Sequence, residues 1–180
     1  MERTSYKVAL GGIVSALCLV SMFLTGVIPV LSLVLPMISG VLMLIIKEEV
    51  STSWSFLTYT AVSLLSLFVT FDKESSIMFI FIFGLYPILK NFFDKIKPLI
   101  LRVLCKLIYY NVFVTIAFQI TFAIFGMQEL ADEMNQYFEH GMLVLLIATN
   151  PVFLMYDYSL SGFEQFYYKV LKPKISSTKR

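Results

Sequence analysis

Of 180 residues, 58% are hydrophobic and only 14% charged, with a formal net charge of +2, against roughly 45–50% apolar and about 25% charged in an ordinary soluble domain. A chain of this length has no core large enough to hide so much apolar surface, whereas six helical crossings of a roughly 30 Å hydrocarbon layer use about 120 residues and leave short connections. The composition therefore excludes a large extramembrane catalytic or nucleic-acid-binding domain, and it points to one all-α integral membrane domain over residues 1–180.

Apolar windows occupy residues 8–25, 28–46, 54–71, 76–93, 105–126 and 141–161. None alternates with period two, and each is too long for a buried strand. Because only helices and closed barrels satisfy every backbone group in lipid, the reading is six transmembrane helices. The first window follows Arg3 and Lys7 but continues through Phe23 and Leu24 with no small-x-small cleavage site, so it reads as a retained helix. Its VALGGIVSALCLV stretch spaces Ala9, Gly12 and Ala16, and also Gly11 and Ser15, so that another helix can approach the backbone closely. That helix belongs either to the same bundle or to a partner protein. Pro29 suits the first turn of the second helix, while Pro36 inside it, Pro87 in the fourth and Pro151 in the sixth each predict a kink.

Between the fourth and fifth windows, KNFFDKIKPLILRVLCK mixes bases with apolar residues at helical spacing and predicts a stretch lying along the cytoplasmic interface. Residues 127–140 carry Glu129, Asp132, Glu133 and Glu139 with no Lys or Arg, which makes the outer face acidic. The tail 169–180 has five bases and no acid, fit either for anchoring on anionic membrane lipid or for binding a partner. With the N-terminus inside, thirteen Lys and Arg fall on the inner side and only Lys73 outside. This positive-inside bias predicts an N-in/C-in topology in a cell membrane, the bacterial cytoplasmic membrane. Trp54, Tyr59, Tyr109, Tyr110, Tyr156, Tyr158, Tyr167 and Tyr168 are expected mostly in the inner aromatic belt.

Catalytic machinery is not expected. Cys18 and Cys105 lack CxxC spacing and read as reduced core residues, and His140 has no partner at ligand spacing, so no metal site is predicted. Ser161 and His140 fall on opposite sides of the membrane, which excludes a hydrolytic pair. No phosphate-binding glycine loop is present, so the chain is read as neither an enzyme nor a cofactor binder, and any ATP is bound by another subunit. Polar residues within the windows are Asn111, Gln119, Asn150 and Asp157; a buried amide needs a hydrogen-bond partner or a ligand. Asp157 is expected to pair with an inner lysine such as Lys90. Asn150, beside Pro151 near the midplane, stands where transporter sites tend to lie, although bonding between helices serves it equally well. With Gln119 as a second amide and Phe79, Phe118 and Phe122 as stacking surface, these residues form a candidate substrate site. The acidic outer segment favours a neutral or cationic molecule over an anion.

Taken together, the length, six helices, inner termini, small-residue spacing in helix 1 and missing ATP site resemble the S components of energy-coupling-factor transporters. The family's alanine-xxx-alanine signature has its nearest counterpart here in Gly12-xxx-Ala16, since Ala9 is followed four positions later by Ile13. The segment FIFGLYPILKNFF, residues 81–93, is also similar to uncharacterised membrane proteins of Gram-positive bacteria. The resemblance implies capture of a vitamin-like small molecule from outside. Docking through Ala9, Gly12 and Ala16 on a T-component scaffold, driven by ATPase subunits, would follow. The competing expectation is a structural or regulatory multi-pass protein that recruits a partner at the cytoplasmic face.

Overall fold

The computed structural model describes residues 4–125 and 141–173, and every regular element among them is helical. In chain order these are α1 (Thr4–Thr25), a 3-10 turn (Pro29–Leu31), α2 (Val34–Glu49), α3 (Thr52–Val69) and α4 (Lys73–Met78). A π-helical turn (Phe79–Phe83), α5 (Tyr86–Asp94), α6 (Leu99–Phe125), α7 (Gly141–Phe166) and a second π turn (Tyr167–Leu171) follow. The stretch Lys73–Asp94 runs through α4, the first π turn and α5; with α1, α3, α6 and α7 it makes, among the described residues, five helices long and apolar enough to cross a bilayer. Their outer surface is apolar, with Phe68, Ile100 and Tyr158 between 82% and 84% exposed. Soluble monomers do not display such a surface, and this is the architecture of a multi-pass membrane protein. The acidic segment 127–140, His140 and the end of the basic tail lie outside the described residues.

The second apolar window differs from the expected full crossing. It forms a 16-residue helix, about 24 Å long at roughly 1.5 Å per residue. Pro36 sets its start: a residue without an N–H is tolerated only in the first turn, so α2 begins at Val34, and Pro29 opens a separate 3-10 turn. No kink at Pro36 results, because the helix starts beside the proline instead of running through it. Short as it is, α2 is central. Met43 and Ile46 pack with Val14, Cys18 and Met22 of α1 and Val62 of α3. From its other side Leu44 joins a second core with Ile82, Tyr86, Val114, Phe153 and Tyr156. Buried Cys18 donates its thiol to the Ser39 carbonyl of α2 at 3.6 Å.

Pro87 acts in the same way. It leaves the Phe83 carbonyl without its i+4 donor, and the chain opens through the π turn and Gly84-Leu85 before α5 restarts with Pro87 in its first turn. Hydroxyls from three helices cover carbonyls of the opened segment: Tyr59 of α3 donates to Ile80 at 2.5 Å, Tyr109 of α6 to Phe81 at 3.2 Å and Tyr156 of α7 to Phe83 at 3.0 Å. Irregular backbone at membrane depth persists only where neighbours satisfy it in this way. These tyrosines, expected in the aromatic belt, are thus hydrogen-bond donors to the interior of the bundle. The approach of α2 is equally tight, since a Cβ at Gly40 would stand 2.1 Å from the Phe83 oxygen and 2.2 Å from the Tyr156 hydroxyl. Only glycine fits there.

Residues 90–106 do not form one continuous amphipathic helix. α5 runs to Asp94, a turn takes residues 95–98, and α6 starts at Leu99. Arg102 closes this turn, its Nε donating to the Ile96 carbonyl at 3.0 Å. Lys90 and Lys106, counted as interface bases from the sequence, are buried. Carboxylates inside the bundle hold them there.

Candidate functional site

Those carboxylates form an ionic network at the bundle end closed by the α2–α3 and α5–α6 connections. Lys90 lies 2.8 Å from Asp94 and 3.0 Å from Glu164, while Lys106 lies 2.7 Å from Asp94 and 2.8 Å from Asp157. Asp157 also accepts from the Tyr86 hydroxyl at 2.5 Å. The expected partner of Asp157, Lys90, is therefore replaced by Lys106, because Lys90 sits one turn from Asp94 and faces Glu164. Lys47 of α2 completes the arrangement by donating to the Pro87 carbonyl at 2.9 Å. Three lysines and three carboxylates leave no net charge to bury, as a low-dielectric interior requires. Nearby, Glu49 accepts from Tyr6 at 3.2 Å and from Tyr167, and Glu48 accepts from Tyr168. These contacts tie the start of α1 and the end of α2 to the second π turn.

At the opposite end, where α1 joins α2 and α3 joins α4, a cavity of about 230 Å³ opens between four helices. Its wall comprises Ser32, Leu33 and Met37 at the start of α2, Glu74, Ser75 and Met78 of α4, and Ile82 and Phe83 of the π turn. Tyr110, Val114 and Phe118 of α6 and Thr149 and Val152 of α7 complete it. Local capping positions the polar members. Asp72 caps α4, its carboxylate accepting from the Ser75 amide at 3.2 Å and the Ser75 hydroxyl at 2.5 Å. The same hydroxyl reaches the Ser32 carbonyl at 2.7 Å, which staples α4 to the start of α2. Lys73 turns back over the end of α3, donating to the carbonyls of Leu67 at 2.6 Å and Thr70 at 2.7 Å. Glu74 is then the ionisable residue in the wall, and among the described residues it has no ion-pair partner.

The residues singled out from sequence distribute unevenly around this cavity. Phe118 lines it, and Phe122 stacks on Phe118 with ring centroids 6.1 Å apart. Asn150 stands next to the lining residue Thr149 but is not itself in the wall; its side-chain oxygen is buried and without a hydrogen-bond partner among the described residues. Gln119 is exposed and outside the wall. Phe79 is fully buried on the α1–α3 side, 6.1 Å from the Tyr59 ring, and Ile82 and Phe83 face the cavity in its place. On α1, Ala9, Gly12 and Ala16 are exposed, and a Cβ added at Gly12 would meet nothing within 4 Å. Gly11, by contrast, is buried, and a Cβ added there would stand 3.5 Å from the Thr58 hydroxyl. The two small-residue pairs thus part company: Gly11 is buried and Ser15 half-buried in this bundle, whereas Gly12 and Ala16 are exposed among the described residues.

Sequence reasoning missed Glu74, Ser75, Met37, Met78, Tyr110 and Thr149. One signal was present, since Asp72 followed by an acid and an apolar run marks a helix start. Nothing in the periodicity indicated that this start covers a cavity. Comparison with protein-family models, curated proteins and solved structures finds no match to this chain.

Proposed function

We propose that the protein is the membrane-embedded, substrate-binding component of an ATP-driven importer of a vitamin-like small molecule, itself without ATPase activity. The observation that carries this reading is the cavity: concave, mostly apolar and furnished with a few polar groups, as small-molecule sites are. In this reading the chain crosses six times, with α2 as a short inner crossing surrounded by the others. Both termini are cytoplasmic and the cavity end faces outward, the end that carries Lys73 and no other expected outer base. The site keeps Phe118 in its wall, with Phe122 and Asn150 next to wall residues, and exchanges Gln119 and Phe79 for Met78, Tyr110 and Thr149. The exposed Ala9, Gly12 and Ala16 face of α1 is the docking surface for a T-component scaffold, and the neutral charge network holds the inner end rigid while the subunit reorients.

The test is purification of the tagged protein from its native bacterial membrane, followed by mass spectrometry of copurifying subunits and small molecules. ATPase subunits together with a bound metabolite are expected. A non-ATPase partner and an empty cavity would replace this reading with that of a structural or regulatory protein.

A further inference from the structure

We infer that the cavity selects a small organic cation, a protonated amine on an apolar or aromatic body, with Glu74 as its counter-ion. This deepens the ligand-site reading above and rests on it. The charge argument comes first. Glu74 is the ionisable residue of the wall and has no ion-pair partner among the described residues. The neighbouring base, Lys73, is committed to two carbonyls at the end of α3. Residues 126–140, which connect two of the cavity-lining helices in sequence, contain no Lys or Arg, and His140 is their one basic residue.

The hydroxyls carry the argument further. A hydroxyl has one proton and two lone pairs, and an ionised carboxylate only accepts. Ser75 gives its proton to the Ser32 carbonyl or the Asp72 carboxylate. Thr149 gives its own to the carbonyls of Leu145 at 3.0 Å and Leu146 at 3.3 Å. Ser75 and Thr149 therefore offer a ligand lone pairs, while the hydroxyls of Ser32 and Tyr110 in the same wall can donate or accept; beside the Glu74 carboxylate this set matches a ligand that brings N–H donors and positive charge. The rings of Phe83, Tyr110 and Phe118 in the same wall favour a cation over their faces. Met37 and Met78 adapt to an irregular apolar body. At the roughly 30 Å³ that a water molecule occupies in the liquid, the cavity of about 230 Å³ has room for about eight water-sized groups, which suits a small molecule. An anion would meet Glu74 with no base to offset it.

Full-length protein in lipid nanodiscs is titrated calorimetrically to millimolar concentration with 2-phenylethylamine, 2-phenylethanol and 3-phenylpropionate, which share a body and differ in charge. The amine should bind about tenfold or more tightly than the alcohol, with the acid weakest. Glu74→Gln, an isosteric change at an exposed position in the first turn of α4, should remove that preference, and Phe118→Ala should weaken amine and alcohol alike. Equal binding of amine and alcohol, tighter binding of the acid, or a preference that survives Glu74→Gln overturns the inference while leaving the cavity a ligand site. Binding of none of the three probes also overturns it; the importer reading falls separately, if no small molecule and no ATPase copurify from the native membrane.

Discussion

Lys106 is the point where the inner charge network is most sensitive to a single change. Its Nζ lies 2.7 Å from Asp94 and 2.8 Å from Asp157, and its side chain is 5% exposed, against 32% and 17% for the two acids. With Lys106→Met, Asp94 retains Lys90, but Asp157 keeps only the Tyr86 hydroxyl and becomes a half-buried carboxylate without a cation. Deleting one member of a buried pair costs about 3–5 kcal/mol. Because Asp94 keeps a partner and is partly hydrated, the lower limit applies: about 3 kcal/mol, or roughly a 150-fold loss in the folding equilibrium at about 1.4 kcal/mol per tenfold. Adding Asp157→Leu removes the orphaned charge, so the double variant should be more stable than the sum of the two single losses by about 1 kcal/mol or more. Denaturant titration in detergent, followed by fluorescence of the single tryptophan, Trp54, provides the measurement. The exposed Lys97→Met is the control. A Lys106→Met loss no larger than that of the control, or strict additivity in the double variant, would refute the network as a source of rigidity.

The packing of α2 on the opened helix makes a second prediction: Gly40→Ala should cost about 1–3 kcal/mol or more by overpacking. Tyr156→Phe should cost about 1–3 kcal/mol by leaving the Phe83 carbonyl unpaired, and thermal unfolding of the two singles and the double should show sub-additivity because both act on one contact. On α1, Gly12→Leu with Ala16→Leu should leave the unfolding temperature within a few degrees of the parent, since a Cβ added at Gly12 meets nothing within 4 Å among the described residues, while ATPase copurification is lost; equal loss of folding and association would return this face to internal packing. For topology, a membrane-impermeant thiol reagent on intact cells should label Phe71→Cys, at a position 75% exposed, and should not label Lys97→Cys. The parent chain, with Cys18 buried and Cys105 half-buried, serves as background, and the reverse pattern would invert the orientation.

How far the fold could be read without coordinates depended on the range of the interaction. Apolar windows longer than a soluble core helix report a local property, and they mapped onto helices with boundaries shifted by prolines. Proline positions were visible as well, but whether Pro36 and Pro87 kink a helix or restart one depends on what covers the freed carbonyls. The covering hydroxyls of Tyr59, Tyr109 and Tyr156 come from three other helices. The bases of residues 90–106 looked like an interfacial strip because hydropathy counts a lysine as polar wherever it points. Two of them point inward because acids from the end of α5 and from α7 meet them there.

Composition and periodicity by themselves determined that this chain is helical, apolar enough to reside in lipid, and strongly biased in the placement of its bases. These quantities sum over neighbours in sequence. The cavity and the charge network were decided only by tertiary structure. Ser75 meets Ser32 across 43 residues, Lys106 meets Asp157 across 51 and Tyr156 meets Phe83 across 73. No local pattern encodes such pairings: they follow from α2 being short enough, and bare enough at Gly40, for two halves of the bundle to close around it, leaving Glu74 over an apolar hollow and three lysines among three acids.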